Sequence, residues 1–178
     1  MRLRRLLRQG HGEDGYTLIE LLTVMVILTT ILTALTALFM SGAKSELEQN
    51  RRYQAQQEAR AALEQLRREV HCASGITATA GTPVSSITVA LPAACPPTET
   101  SVVWSVVTSA SGTGFQLNRA GVKVADNLTT QNAFTYYAPS ASSLGKLHVN
   151  FPVNVHPSGA STTWTLVDDI VLRNTLRA

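Results

Sequence analysis

From Leu21 to Ala43 the chain carries no charged side chain. Its apolar centre, LLTVMVILTTILTALTALFM, is twenty residues long. As a helix rising about 1.5 Å per residue it would extend roughly 30 Å, the thickness of a bilayer core. Five threonines between Thr23 and Thr36 interrupt the run. Their hydroxyls can bond back to helix carbonyls, so they are compatible with such a segment. Arg2, Arg4, Arg5 and Arg8 stand before it, against Glu13 and Asp14, so the first fifteen residues supply +2 of the formal +3. The pI near 9.1 is therefore mostly a property of the leader and argues little for a nucleic-acid-binding surface. By the positive-inside rule the arginines put the N-terminus in the cytoplasm and the rest of the chain outside, in a single-pass arrangement in the inner membrane.

Behind this run the sequence changes twice. No proline occurs before Pro83, and Gly42 is the only glycine between Gly15 and Gly75. Residues 16–74 thus read as one long helix, with a transmembrane first half over 16–43 and an amphipathic second half over 44–74. Leu47, Ala55, Ala59, Ala62, Leu63, Leu66 and Val70 form a stripe at helical spacing. Arg51, Arg52, Gln56, Arg60, Glu64, Arg67 and Arg68 cover the other faces, interleaved with glutamates between Glu46 and Glu69. Ser74-Gly75 is a stop, since glycine tolerates the left-handed conformation past a helix end.

Residues 75–178 carry nine charges and 26 Ser or Thr. Short β-branched runs cover 86–91, 101–108, 114–119, 133–138, 144–151 and 163–172. Turn residues separate them: Pro92, Pro96-Pro97, Ser111-Gly112, Pro139 and Pro157-Ser158-Gly159. The expected fold is α+β, an antiparallel sheet with the amphipathic half-helix across one face, because that stripe has nothing else to bury it.

The junction before the apolar run reads Glu13-Asp14-Gly15-Tyr16-Thr17-Leu18-Ile19-Glu20-Leu21-Leu22. A carboxylate at the mouth of an uncharged membrane helix is costly, about 2.5–3.5 kcal/mol at helix centre and less near the interface, and is usually retained for a partner. This short basic leader ending in Gly15, with Tyr16, the tetrapeptide Thr17-Leu18-Ile19-Glu20 and the apolar run, resembles the type IV pilin superfamily of major and minor pilins and type II secretion pseudopilins. The resemblance covers about the first 40 residues. It implies a leader, 1–15, removed by a prepilin peptidase between Gly15 and Tyr16, and methylation of the new N-terminus at Tyr16. It implies pairing of Glu20 with the N-terminal amine of a neighbouring subunit during assembly. The partners it implies are other pilin or pseudopilin subunits, the peptidase, an inner-membrane assembly platform and lipid. Tyr16 replaces the commoner phenylalanine. The proline found within this run in many major pilins is absent, with Ala37 about in its place, which favours a minor subunit. Residues 59–70 and 170–174 resemble minor subunits of the J or W type.

Cys72 and Cys95 both lie beyond the membrane segment, where an oxidising compartment permits their one intramolecular disulfide; two buried free thiols are the alternative. Closing the loop of about 24 residues is worth roughly 3 kcal/mol in the chain-entropy model. Two cysteines with His71 do not make a metal site at any usual spacing, and no cofactor is expected. G-x-S-x-G, the P-loop, G-x-G-x-x-G and H-E-x-x-H are all absent from the sequence. His148, His156 and Asp168-Asp169 read as scattered polar residues on a sheet. The resemblance to pseudopilins implies that Asp126-Asn127 and Asp168-Asp169 could bind calcium in a loop, although they lack the spaced ligands of a calcium loop. Trp104, Trp164, Phe115, Tyr136 and Phe151 read as core. The expected function is a non-catalytic structural subunit. Two other classes fit parts of the sequence: a DNA-uptake component of the same architecture, and a signal-anchored extracytoplasmic enzyme or binding module. If that module were secreted instead, Ser41-Gly42-Ala43 would serve as its signal-peptide cleavage site, although the apolar run exceeds a signal h-region.

Overall fold

A computed structural model describes residues 15–93, 95, 99–110, 112, 114–155 and 163–174. The leader to Asp14, His156, Arg177, Pro96-Pro97, Ser111 and Pro157-Ser158-Gly159 lie outside the described residues. The chain divides into two units, Met1–Glu46 and Leu47–Ala178. One helix, α1 (Leu18–Cys72), contributes to both.

In the first unit α1 begins at an N-cap. Thr17 accepts the first backbone bonds, its carbonyl from Glu20 N at 3.0 Å and Leu21 N at 3.2 Å. Its hydroxyl also faces Glu20 N, at 3.4 Å. Thr-x-x-Glu is the sequence form of a capping box, and Glu20 is the acid of the first turn, where the helix dipole favours negative charge. Every described side chain from Gly15 to Glu46 is exposed. Among the described residues this is the one helix long and apolar enough to cross a membrane. All five threonines return their hydroxyls to α1 carbonyls at 2.7–2.9 Å, from Thr23 to Glu20 through to Thr36 to Leu32.

In the second unit α1 from Leu47 to Cys72 packs on an antiparallel sheet of nine strands. These are β1 (Gly75–Thr77), β2 (Pro83–Val84), β3 (Ser86–Ala90), β4 (Ser101–Thr108), β5 (Phe115–Arg119), β6 (Val122–Leu128), β7 (Phe134–Tyr137), β8 (Lys146–Val153) and β9 (Trp164–Val171). Their order is β1-β3-β4-β5-β6-β8-β7-β2, with β9 on the other edge of β8. The stripe expected from helical spacing is the face that is buried: Ala55, Ala59, Ala62, Leu63, Leu66 and Val70. Leu47 is the exception, 53% exposed. Leu63, Leu66 and Val70 share one core with Trp104, Leu117, Phe134, Leu147, Phe151 and Ile170. Ala55 and Ala59 pack with Val153, joined by the half-buried Trp164 and Leu166. Trp164 is thus a flank of the core, its ring covered by the Arg60 guanidinium at 5.3 Å, an arrangement with cation–π character.

Five strands, β3, β4, β5, β7 and β9, fall within the runs expected from sequence, and β8 overlaps the sixth, displaced towards its C-terminal end. The run expected from sequence ends at Phe151, and the next residue, Pro152, has no amide to give a ladder. In the structure Pro152 continues β8 and offers only its carbonyl, to Thr129 N at 2.9 Å. β1, β2 and β6 were not expected. β6 follows β5 through the two-residue turn Ala120-Gly121, with φ 49° and 81°, which fits the type I′ hairpin class.

Candidate functional site

The Gly15–Tyr16 bond lies in non-helical chain two residues before the first residue of α1. Nothing approaches within 4 Å of where a Gly15 Cβ would stand, and Tyr16 is 80% exposed. The backbone on both sides of this bond is therefore open to a protease cleft, and Thr17 fixes where the helix begins. Glu20 sits one turn into α1 with its side chain exposed. Among the described residues its carboxylate has no recorded hydrogen-bond or ion-pair partner, although its backbone N–H is taken by Thr17. The region thus sets an open, exposed peptide bond at Gly15–Tyr16 just ahead of an exposed carboxylate in the first turn of α1.

At the far end of α1, Cys72 and Cys95 are joined in a disulfide with Cα atoms 6.1 Å apart. The bridge ties the helix end to the β3–β4 connection. Asn174 Nδ2 donates to the Cys72 carbonyl at 2.9 Å, satisfying one of the acceptors a helix end leaves open. His71 Nδ1–H donates to the Val171 carbonyl at 3.0 Å.

Glu69 is 5% exposed, a carboxylate facing the sheet from the helix. It accepts from Trp104 Nε1 and from Arg119 Nε, each at 2.7 Å. The second arm of Arg119 reaches Glu99 at 2.8 Å. Burial lowers the affinity of Arg119 for its proton, but the bond and charge of Glu69, and then of Glu99, outweigh it and hold the guanidinium above its ordinary range. Sequence reading placed Glu69 with the interleaved glutamates of the polar face.

Several other charged side chains are paired within the chain. Arg67 binds Asp168 at 2.7 Å and Glu64 at 3.1 Å. Arg52 pairs with Glu48. His148 and Asp169, read from the sequence as scattered, face each other across β8 and β9 at 2.7 Å, and Lys146 joins Asp169 at 3.1 Å. The His148 bond first, then Lys146, lowers the Asp169 carboxyl below its usual value. Asp126 is held by the Asn127 N–H at 2.8 Å and by Lys123 at 3.2 Å. Among the described residues no three His, Cys, Asp or Glu side chains are grouped as a metal site.

Residues 11–36 match the family model described as the prokaryotic N-terminal methylation motif. No curated protein and no solved structure matches the chain. The matched segment contains Gly15, Tyr16 and Glu20, and its C-terminal part is the exposed apolar helix. That motif stands at the head of a helix long and apolar enough to span a membrane.

Proposed function

We propose that this chain is a non-catalytic, minor structural subunit of a type IV pilus or a type II secretion pseudopilus. A prepilin peptidase removes residues 1–15, Tyr16 is N-methylated, and the apolar half of α1 anchors the subunit in the inner membrane with its β-rich head outside. The observation that carries this reading is the methylation motif over residues 11–36, with its cleavage bond in open, non-helical chain. Assembly then runs through Glu20. Tyr16 precedes α1 and Glu20 lies in its first turn, so a neighbour staggered by about one turn brings its amine level with the Glu20 carboxylate. A lone carboxylate in hydrocarbon is expensive and a paired one is tolerated, so the charge selects that stagger. The reading as a DNA-uptake component finds less support, because Arg52, Arg67 and Arg119 are bound to carboxylates of the same chain.

Intact-mass analysis of the membrane fraction tests the processing step. The expected species begins at N-methylated Tyr16; one beginning at Met1 or at Lys44 contradicts it. Glu20→Ala should leave insertion and cleavage intact yet lower recovery with sheared or co-purified filament subunits, at equal membrane abundance. Recovery equal to the unsubstituted chain would remove Glu20 from the mechanism.

A further inference from the structure

Among the described residues, β9 has an edge without a strand partner along all eight residues; the free edge of β6 is shorter, since it meets β8 only at Leu128↔Val153, and lies on a bulged ladder, and the terminal strands β1 and β2 are three and two residues long. β9 pairs with β8 over eight residues in unbroken register, from Lys146↔Val171 to Val153↔Trp164. On that register Leu172 N donates to Gly145 O at 2.8 Å. Alternation along an antiparallel ladder therefore turns the N–H and C=O of Trp164, Leu166, Asp168 and Ile170 towards β8. Those of Thr165, Val167, Asp169 and Val171 turn away from the sheet. The Val171 carbonyl is taken by His71. The outward groups of Thr165, Val167 and Asp169 have no backbone partner among the described residues.

Protected edges usually carry a bulge, a proline or uncompensated charge. β9 has no bulge and no proline. Its two carboxylates are compensated within the chain, Asp168 by Arg67 and Asp169 by Lys146 and His148. Beside the edge Val167 is 54% exposed. Val171, Lys146 and Tyr137 form an adjoining cross-strand row, in which Tyr137 is 45% exposed.

Backbone groups repeating every two residues, about 6.8 Å, are matched by another extended backbone. A second copy of β9 does not supply it. The contacts Arg60–Trp164, Arg67–Asp168 and His71–Val171 advance together, so α1 and β9 run in the same sense. Antiparallel self-pairing about a two-fold axis would run the two helices oppositely, which subunits anchored in one membrane do not do. Parallel self-pairing about a two-fold axis sets each outward residue level with its own copy, whereas a parallel ladder needs an offset of one.

We propose that the Thr165–Asp169 edge of β9 is a strand-addition site for an extended segment of a different subunit of the assembly, with an apolar residue opposite Val167. This inference rests on the assembly reading above. Residue-resolved hydrogen exchange on the full processed chain tests it, in detergent alone and in the sheared assembly. Alone, the Thr165, Val167 and Asp169 amides should exchange fast while Leu166, Asp168 and Ile170 are protected. In the assembly the first three should slow at least about tenfold. Protection of those three in detergent alone, or equal rates in both states, overturns the proposal.

Val167→Pro removes one outward N–H and leaves the β8 ladder whole. It should be processed and inserted normally, with recovery in the assembly falling roughly fivefold, the weight of one net backbone hydrogen bond. Recovery equal to the unsubstituted chain also overturns the site. If that variant does not fold, the exchange comparison decides. A chain that is never cleaved at Gly15 and never enters an assembly defeats the assembly reading itself and takes this site with it.

Discussion

Glu69 stands three residues after Leu66 and seven after Ala62, both buried, so helical spacing alone places it on the stripe that faces the sheet. Read by residue type, it joins the exposed glutamates; read by position, it belongs to the core. Its partners were not legible, since Trp104 and Arg119 are 35 and 50 residues further on and nothing local marks them. The consequence is energetic. Glu69→Ala leaves an indole N–H without its acceptor and a mostly buried guanidinium with Glu99 as its one remaining carboxylate. We expect a loss of about 3–5 kcal/mol, the range for breaking a buried pair from one side. Glu69→Gln, which keeps a hydrogen-bond acceptor but not the charge, should lose less. Urea unfolding of the full chain in detergent, followed by the Trp fluorescence, measures both; similar midpoints for Glu69→Ala and the unsubstituted chain would contradict the network's weight.

Elements were readable where one periodicity ran long enough to dominate. Absence of proline, a single internal glycine and a repeating stripe specified α1, and β-branched runs marked six strands. β6 was missed because its hairpin lacks the usual Asn-Gly or Asp-Gly signal. Ala120 occupies the left-handed position at φ 49°, a conformation that costs a residue with a Cβ about 1–2 kcal/mol. Ala120→Gly relieves that strain but gains unfolded-chain entropy, so a net stabilisation of about 0.5–1 kcal/mol is expected. Ala120→Asn should move the same way. Thermal unfolding should show a higher midpoint for both; a fall for both would mean the turn is not strained at Ala120. Gly114 gives the opposite case. It has φ 81°, and a Cβ there would lie 2.9 Å from the Leu128 carbonyl oxygen. Gly114→Ala should destabilise by more than about 1 kcal/mol.

For the molecule as a whole, an α+β architecture followed from one principle, that an amphipathic half-helix must find a face to cover it. Strand order did not follow, because alternation shows that a strand exists and not which neighbour it takes. The placing of β9 along one edge of β8, with β7 and the end of β6 along the other, is set by packing among distant residues. The disulfide acts at this scale, since it closes a loop from α1 to the β3–β4 connection across a sequence separation of 23. Cys72→Ser with Cys95→Ser should lower stability by roughly 3 kcal/mol, seen as a lower urea midpoint. The unsubstituted chain should shift the same way on reduction. A non-reducing peptide map with both thiols freely alkylated would falsify the bridge.

The threonines of α1 have a further consequence. Each spends its hydroxyl proton on its own helix, so a neighbour in the bilayer meets methyl groups and aliphatic chains with no donor left to offer. Such a surface is a lubricant: it lets helices of different sequence slide and exchange at little cost, because dispersion varies slowly along an aliphatic rod. In the assembly proposed above, the Glu20 carboxylate at one end of that rod would act as a detent, stopping the slide at one position. Heterogeneous subunits could then share one stack, provided each brings a matching amine at the same depth.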